Sequence, residues 1–352
     1  MKICFAGGGS LGPVMPLLAV AEAWKETDPS VDIFWIGTPQ GPERKLIEEA
    51  GIRLLQLPVT RLTRYPSTEW LFLPFRFVWA CYLAFVVLGR EKPQAIGMAG
   101  GFTGVPVVIA GWLRRIPSWV HQQDATVILS NRLVAPFSRW ITVAWERLLT
   151  SFPKRKTSFL GNPVRSSMRA GKMDVAYERF GIDLRLPTVL VMGGGGGAGW
   201  INDRMEHVGE EIARHANVIH VTGTGKITDK LKTLHPRYHA VELLGADLAH
   251  AYAAASIVVC RAGMGTISEL AALKKAAILI PLPSSIQEAN AELVGGAAMV
   301  VQQSGTDGER LKQAILALLD DQPRMKAMGQ ALQALLPTDG AGKVVEEMRG
   351  WG

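Results

Sequence analysis

The apolar positions of this chain fall into short runs separated by glycine and polar turns. Residues 2–6 (KICFA) are the first run, and they end in Gly7-Gly8-Gly9. The stretch SLGPVMPLLAVAEAW follows and reads as a loop running into a helix. Residues 32–36 (DIFWI) predict a second strand, and ERKLIEEAG predicts a helix stopped by Gly51. Further strands are predicted at 95–98, 118–121, 140–143 and 156–160, with helical stretches between them. Apolar strands alternating with helices predict a parallel α/β sheet.

The pattern then restarts. Residues 187–192 (PTVLVM) run into five glycines at 193–197, and a helix begins near Trp200. Strands are predicted near 217–221, 239–241, 256–260 and 276–280, and the tail (309–319, 322–336, 341–349) is helical. Each half therefore opens with a strand, a glycine loop and a helix, a repeat of architecture rather than of sequence. A length of 352 residues fits about two domains at roughly 150 residues each. The turn-rich Gly161-Asn162-Pro163 marks the boundary, with domains at 1–163 and 164–336.

One segment departs from this pattern. Residues 70–88 (WLFLPFRFVWACYLAFVVL) contain a single charge, Arg76, and fall within the length range of a transmembrane helix. Pro74 and Arg76 near its start argue against a clean span. A buried helix of the α/β domain is one reading. A helix with one face in a lipid interface is the second, since Trp70, Phe72, Phe75, Phe77 and Trp79 have Arg61, Arg64, Arg76 and Arg90 nearby, and a true membrane span is the third.

A hydrophobic content of 48% excludes disorder, and 37 glycines without a three-residue period exclude a collagen-like chain. Cys4, Cys81 and Cys260 form no CxxC pair, which predicts neither a disulfide framework nor a zinc knuckle and fits a reducing compartment. No secretory signal is read in the first apolar run, which stops at Gly7. Up to Gly161 there are 18 Lys and Arg against 11 Asp and Glu; the rest has 20 of each. The basic excess of the first half suggests an anionic partner: a nucleic acid, a phosphorylated ligand or a membrane surface. Nucleic acid is disfavoured, because the basic residues are scattered.

Three glycine-rich turns could carry chemistry. In the first, Gly9, Ser10, Leu11 and Gly12 stand between strand and helix, where bare backbone N–H groups and a helix N-terminus suit a diphosphate. Pro13 and Pro16 follow at once, so a dinucleotide site is weakly supported, and a plain tight turn stays open. The second is the five-glycine run including Gly195. The third is Arg261-Ala262-Gly263-Met264-Gly265-Thr266-Ile267-Ser268-Glu269, which opens a helix after the strand at 256–260. Glu269 reads equally as a dipole-complementing cap or as an acceptor for ribose hydroxyls. His121-Gln122-Gln123-Asp124 ends another strand, and Gln287-Glu288-Ala289-Asn290-Ala291 starts a helix. The histidines lack metal-ligand spacing, so no metal site is predicted.

Taken in order, these motifs resemble the MurG family of lipid-linked peptidoglycan N-acetylglucosaminyltransferases. The family's GGTGGHxxP loop is similar to Gly8-Gly9-Ser10-Leu11-Gly12-Pro13-Val14-Met15-Pro16. Its GGYxSxP resembles Gly100-Gly101-Phe102-Thr103-Gly104-Val105-Pro106. Its HEQN and NR resemble His121-Gln122-Gln123-Asp124 and Asn131-Arg132, and its GNPVR stands unchanged from Gly161 to Arg165. Its GGSQGA, RxGAxTxSE and QxxNA resemble the segments beginning at Gly193, Arg261 and Gln287.

The resemblance implies a GT-B fold, two Rossmann-like parallel-sheet domains facing across a cleft, with a C-terminal helix in 337–352 packing back toward the first domain. It implies UDP-N-acetylglucosamine as donor, an undecaprenyl-diphosphate-linked muramoyl-pentapeptide as acceptor, and no cofactor or metal. It implies a peripheral position on the anionic cytoplasmic face of the plasma membrane. By the same resemblance Glu269 holds the ribose, and Arg165, Gly195 and the helix start Met264, Gly265, Thr266, Ile267 and Ser268 surround the diphosphate. Gly245 reads the uracil, Gln287 and Asn290 contact the sugar, and Ser10, Leu11, Gly12 and Asp124 complete the donor site. Gly9, Ser10, Gly100, Gly101 and Phe102 meet the acceptor diphosphate. The departures fall on proton-transfer groups: the family's loop histidine is Pro13 and its HEQN glutamate is Gln122, and neither side chain is a base. Asp124 is then the candidate general base and His121 the runner-up, with a purely structural carboxylate at Asp124 as the plain alternative. A catalytically silent UDP-sugar binder, or a GT-B transferase with another acceptor, is the competing reading.

Overall fold

Alternate residues of strand β1 (Lys2–Ala6) face opposite ways, and both faces are apolar. Ile3 and Phe5 join one buried cluster with Trp24 and Trp35; Cys4 and Ala6 join another with Phe34, Ala84 and Met98. A strand apolar on both faces suits the interior of a parallel sheet covered by helices on either side. A computed structural model, described over residues 1–58, 73–194 and 197–352, contains two parallel sheets, one in each of two units.

The first unit comprises Met1–Arg165 and Thr338–Gly352. After β1 come α1 (Val14–Thr27), β2 (Asp32–Gly37), α2 (Glu43–Glu49), β3 (Arg53–Gln56) and α3 (Leu73–Glu91). Then follow β4 (Ala95–Met98), α4 (Gly104–Leu113), β5 (Ser118–Gln122), α5 (Leu129–Val134), β6 (Trp140–Val143) and β7 (Thr157–Phe159). The strand order is β3-β2-β1-β4-β5-β6-β7, parallel throughout.

The second unit, Ser166–Pro337, contains α6 (Met173–Phe180), β8 (Thr188–Met192), α7 (Gly199–His215), β9 (Asn217–Val221), α8 (Asp229–Thr233) and β10 (Tyr238–Val241). It continues with α9 (Leu248–Ala254), β11 (Ile257–Cys260), α10 (Met264–Leu273), β12 (Ala276–Leu279), α11 (Ile286–Val294), β13 (Met299–Val300), α12 (Gly308–Leu319) and α13 (Gln322–Leu335). Its sheet runs β10-β9-β8-β11-β12-β13, again parallel. In both sheets the order reverses at one place, between β1 and β4 and between β8 and β11. Open α/β sheets hold ligands outside the carboxyl ends of strands at such switch points. The loops after β1, β8 and β11 are the three glycine-rich turns singled out above, and the loop after β4 carries the Gly100-Gly101 motif.

Three expectations change. The units divide after Arg165, not after Pro163, because packing changes at Ser166: the helical turn Ser166–Ala170 lies against α9 and α10. Strands β3 and β13 went unread; both are sheet edges, one half-polar and the other two residues long. The reading of 70–88 as a buried helix fails over its described part. Helix α3 buries only the stripe Ala80, Ala84 and Leu88, while Phe75 is 75% and Val78 66% exposed. Trp79 and Tyr82 stack on its outer face with centroids 5.4 Å apart. Arg61, Arg64, Trp70 and Phe72 lie outside the described residues.

Helix α14 (Gly340–Arg349) belongs to the first unit. Ala341, Val344, Val345 and Met348 enter the cluster that contains Trp24, and Arg349 donates to Thr27 Oγ1 at 2.6 Å. Trp351 meets Trp140 edge-on at 6.5 Å.

Candidate functional site

In the first unit the turn after β1 stands on a buried carboxylate. Glu43, the first residue of α2, is fully buried. Its Oε2 accepts from the Gly9 N–H (3.0 Å), and its Oε1 accepts from the Thr38 N–H (2.8 Å) and hydroxyl (2.6 Å). Gly9, expected in the diphosphate cradle, thus spends its N–H on Glu43. Ser10 and Gly12 are exposed and Leu11 is half-buried. Pro13 sits at the N-cap of α1, and a methyl group at Gly101 would lie 3.5 Å from its ring. The Gly100-Gly101 turn runs at positive φ (+98° and +80°), and Phe102 beside it is half-buried.

The C-terminal end of β5 is a polar network. His121 is fully buried, with Nδ1 2.8 Å from Thr142 Oγ1 and Nε2 2.8 Å from Asn162 Oδ1. The Trp119 indole N–H donates to Thr142 Oγ1 (2.8 Å). Because the Asn162 oxygen can only accept, His121 Nε2 carries the hydrogen donated to it, and Nδ1 accepts the Thr142 hydroxyl proton. Burial pushes the imidazole pKa down to about 4. Both ring nitrogens are occupied, so His121 has no lone pair for a substrate hydroxyl, which corrects its reading as the runner-up base.

Gln122 is also fully buried. Its Nε2 donates to the carbonyls of Asp124 (3.0 Å) and Thr126 (2.8 Å), and its Oε1 accepts from Asn131 Nδ2 (2.8 Å). An ionised glutamate could not donate to two carbonyls, so the amide is what folds this turn. Asp124 follows and is half-buried.

In the second unit the corresponding turns lie after β8 and β11. Gly195, with Gly196, falls outside the described residues. Gly197, at φ +69°, is close-packed: a methyl group there would lie 2.2 Å from the Thr222 carbonyl oxygen. Helix α10 starts with Gly263 as N-cap and no side-chain cap; methyl groups at Gly263 or Gly265 would meet nothing within 4 Å. The first N–H groups of a helix have no intrahelical partner, so Met264, Gly265 and Thr266 present donors toward open space. The side chains of Met264 and Ile267 are buried, and the Ser268 hydroxyl donates to the Met264 carbonyl (2.7 Å). Beside its backbone donors, this stretch leaves the half-buried Thr266 as its one hydroxyl not turned inward.

Glu269 is nearly buried, and its Oε2 accepts from the hydroxyl of Tyr252 on α9 at 2.9 Å. Gln287 Oε1 accepts from the Leu282 N–H (3.0 Å). Asn290 is fully buried, and its Nδ2 donates to the Ala262 carbonyl (3.2 Å), bracing the turn after β11. Gly245 takes φ +53° at an open turn before α9. Arg165 is the last residue of the first unit and half-buried, so it is not part of the second. The arrangement of α10 can bind an anion on backbone donors and a diol on a braced carboxylate.

Comparison with known proteins decides the family. Residues 3–142 match the N-terminal domain of glycosyltransferase family 28 and residues 188–341 its C-terminal domain. A UDP-N-acetylglucosamine–N-acetylmuramyl-(pentapeptide) pyrophosphoryl-undecaprenol N-acetylglucosamine transferase of Nocardioides sp. is 34% identical over 352 residues, covering 96% of this chain and 95% of that protein. The enzyme of the same description from Lachnoclostridium phytofermentans is 32% identical, covering 99% of both. The chain belongs to the MurG family. The crystal structure of Acinetobacter baumannii MurG superposes with a TM-score of 0.74 at 23% identity, covering 99% of each chain. A UDP-GlcNAc 2-epimerase from Neisseria meningitidis shares the fold at TM-score 0.69 and 15% identity. Fold alone therefore does not separate a MurG-family transferase from an epimerase; the sequence relatives do.

Two groups in this MurG-family chain escaped the sequence. Glu43 had a signal, a Gly-Pro-Glu start to the helix after the second strand. Tyr252 had only the oddity of one phenol in an alanine-rich helix.

Proposed function

We propose that this chain transfers N-acetylglucosamine from UDP-N-acetylglucosamine to the 4-hydroxyl of undecaprenyl-diphosphate-linked muramoyl-pentapeptide, forming lipid II from lipid I. The observation that carries the reading is the Glu269 carboxylate, braced by Tyr252 in the first turns of an uncapped helix at a switch point. A ribose diol fits that carboxylate, and the diphosphate fits the N-terminal donors of α10. Gly245, in the same unit, contributes to the same donor.

The reaction is a single inverting displacement. The acceptor hydroxyl oxygen bonds to the anomeric carbon as the bond from that carbon to the UDP oxygen breaks, and UDP leaves with the electron pair. Charge develops on the leaving diphosphate, where helix N-terminal donors stabilise it. The hydroxyl proton goes to Asp124. With Gln122 an amide, His121 occupied and Pro13 without a functional group, Asp124 is the titratable group left in the run His121 to Asp124. Helix α3 lays Phe75, Val78, Trp79 and Tyr82 into the membrane interface and holds the enzyme at the cytoplasmic face.

Purified protein incubated with UDP-N-acetylglucosamine and a short-chain lipid I analogue tests the reading through UDP release and disaccharide formation. Disaccharide is expected. Donor binding without product defeats it in favour of a silent sugar-nucleotide binder or another acceptor. Co-sedimentation with anionic vesicles tests the membrane contact: Phe75→Ser with Trp79→Ser is expected to release the protein, and unchanged binding would refute it.

A further inference from the structure

We infer that Glu43 is a positioning residue that shapes the Gly7–Gly12 turn for the acceptor by taking the Gly9 N–H out of ligand binding. Three independent features converge on it. First, a carboxylate side chain with no exposure is rare, because removing it from water is costly unless donors replace the hydration. Here three donors do so: the Gly9 N–H, the Thr38 N–H and the Thr38 hydroxyl.

Second, these donors belong to the turns that end two neighbouring parallel strands, β1 and β2. One carboxylate therefore ties the substrate-side turn to a turn that has no other part in the reaction. Third, the glycines are cut to fit it. A methyl group at Gly8 would lie 2.2 Å from Glu43 Oε1, and one at Gly41 would lie 1.8 Å from Oε2. Gly41 lies in the connection between β2 and α2, outside the substrate-side turn, yet it too must stay bare to make room for the same carboxylate.

Tied in this way, the turn offers substrate its exposed residues Ser10 and Gly12, while the N–H of half-buried Gly9 points at Glu43. Glu43 acts through the turn and touches no reacting atom. The inference rests on the reading that this turn meets the lipid-linked acceptor, so the experiment separates the two. Four variants are compared: Glu43→Gln, Gly41→Ala, the two combined, and Ser10→Trp. Measured for each are KM and kcat with a short-chain lipid I analogue, Kd for UDP-N-acetylglucosamine, and the melting temperature.

Glu43→Gln must turn an amide N–H toward an N–H donor, losing a charge-assisted bond, so acceptor KM is expected to rise about tenfold with donor Kd within about twofold. Gly41→Ala is expected to do the same, and the combined variant to be no worse than the poorer single one, because both break one device. Should either single variant not fold, Thr38→Val removes one donor at nearly constant shape and is expected to move acceptor KM in the same direction. If Ser10→Trp raises acceptor KM but Glu43→Gln and Gly41→Ala do not, the turn meets acceptor and Glu43 does not position it. If Ser10→Trp changes nothing, the reading of the turn fails and the inference with it. A fall in melting temperature with donor and acceptor affected alike would make Glu43 a stability residue only.

Discussion

The two units each end a switch-point strand in glycine and keep a buried glutamate close by, but they hold these glutamates differently. In the first unit Glu43 has no exposure and its oxygens accept from three protein donors. In the second, Glu269 keeps 8% exposure and one oxygen is braced by the buried phenol of Tyr252. The first carboxylate shapes a turn; the second is presented beside open helix N–H groups. One scaffold thus holds one glutamate wholly on protein donors and leaves the other slightly exposed, depending on which donors the neighbouring turns supply. Each unit also keeps one fully buried histidine, and these two are alike. His121 and His220 are both fully buried and both held near pKa 4 by desolvation. His220 lies 2.7 Å from the Tyr238 hydroxyl and 3.1 Å from Asn202 Oδ1.

The sharpest test of this contrast is Asp124→Asn. If the first unit supplies the base, kcat falls roughly 10²- to 10⁴-fold, the usual worth of a positioned general base, while UDP-N-acetylglucosamine still binds. Steady-state kinetics beside a donor-binding titration checks this, and unchanged turnover would leave Asp124 a structural carboxylate.

Next in size is acid sensitivity. An imidazole with an ordinary pKa of 6.5 that is held near 4 in the folded state takes up its proton first when unfolded. Stability is therefore complete above pH 6.5 and is lost as pH falls from 6.5 toward 4. A gap of this size is on the order of 3 kcal/mol per histidine. Urea unfolding at pH 7 and pH 5 should show the loss, and His121→Gln should flatten it for the first unit; an unchanged pH slope would argue against a neutral buried His121.

Tyr252→Phe sharpens the other side of the comparison. Removing the brace on Glu269 should raise donor KM about tenfold, the scale of one hydrogen bond to a charged group, and narrow the preference for UDP-N-acetylglucosamine over its 2′-deoxyribose analogue. A general packing defect would raise KM for both donors equally. The smallest effect belongs to Glu91, whose carboxyl is held down to about 2 by hydrogen bonds from Arg53 and Lys2. Because the folded pKa is depressed, this stability is present above the ordinary value of 4.5 and lost as pH falls toward 2. Exposure of Arg53 screens the pair, so Arg53→Ala should cost under about 1 kcal/mol in the same unfolding assay.

Much of this was legible in the residue order. Apolar runs ending in glycine placed both sheets and their switch-strand turns, because a strand buried on two faces must be apolar throughout and a tight turn at its end must be bare. The seven motifs, read in order, placed the family as well. Strands β3 and β13 were not legible, since one is half-polar and the other only two residues long, whereas the other edge strands, β7 and β10, carried enough apolar pattern to be read.

The site divides in the same way. Residue type alone made Pro13 and Gln122 unfit as bases, whatever the fold. Only tertiary structure decided that His121 is consumed by Thr142 and Asn162, that Asn290 lies under the Ala262 turn, and that Gly9 faces Glu43. It also decided that the aromatic face of α3 turns outward. The physical reason is common to all four. A side chain's chemistry is set by its own atoms, but its availability is set by which donors, acceptors and apolar neighbours other elements bring to it. Those neighbours lie tens of residues away along the chain, where no local pattern records them.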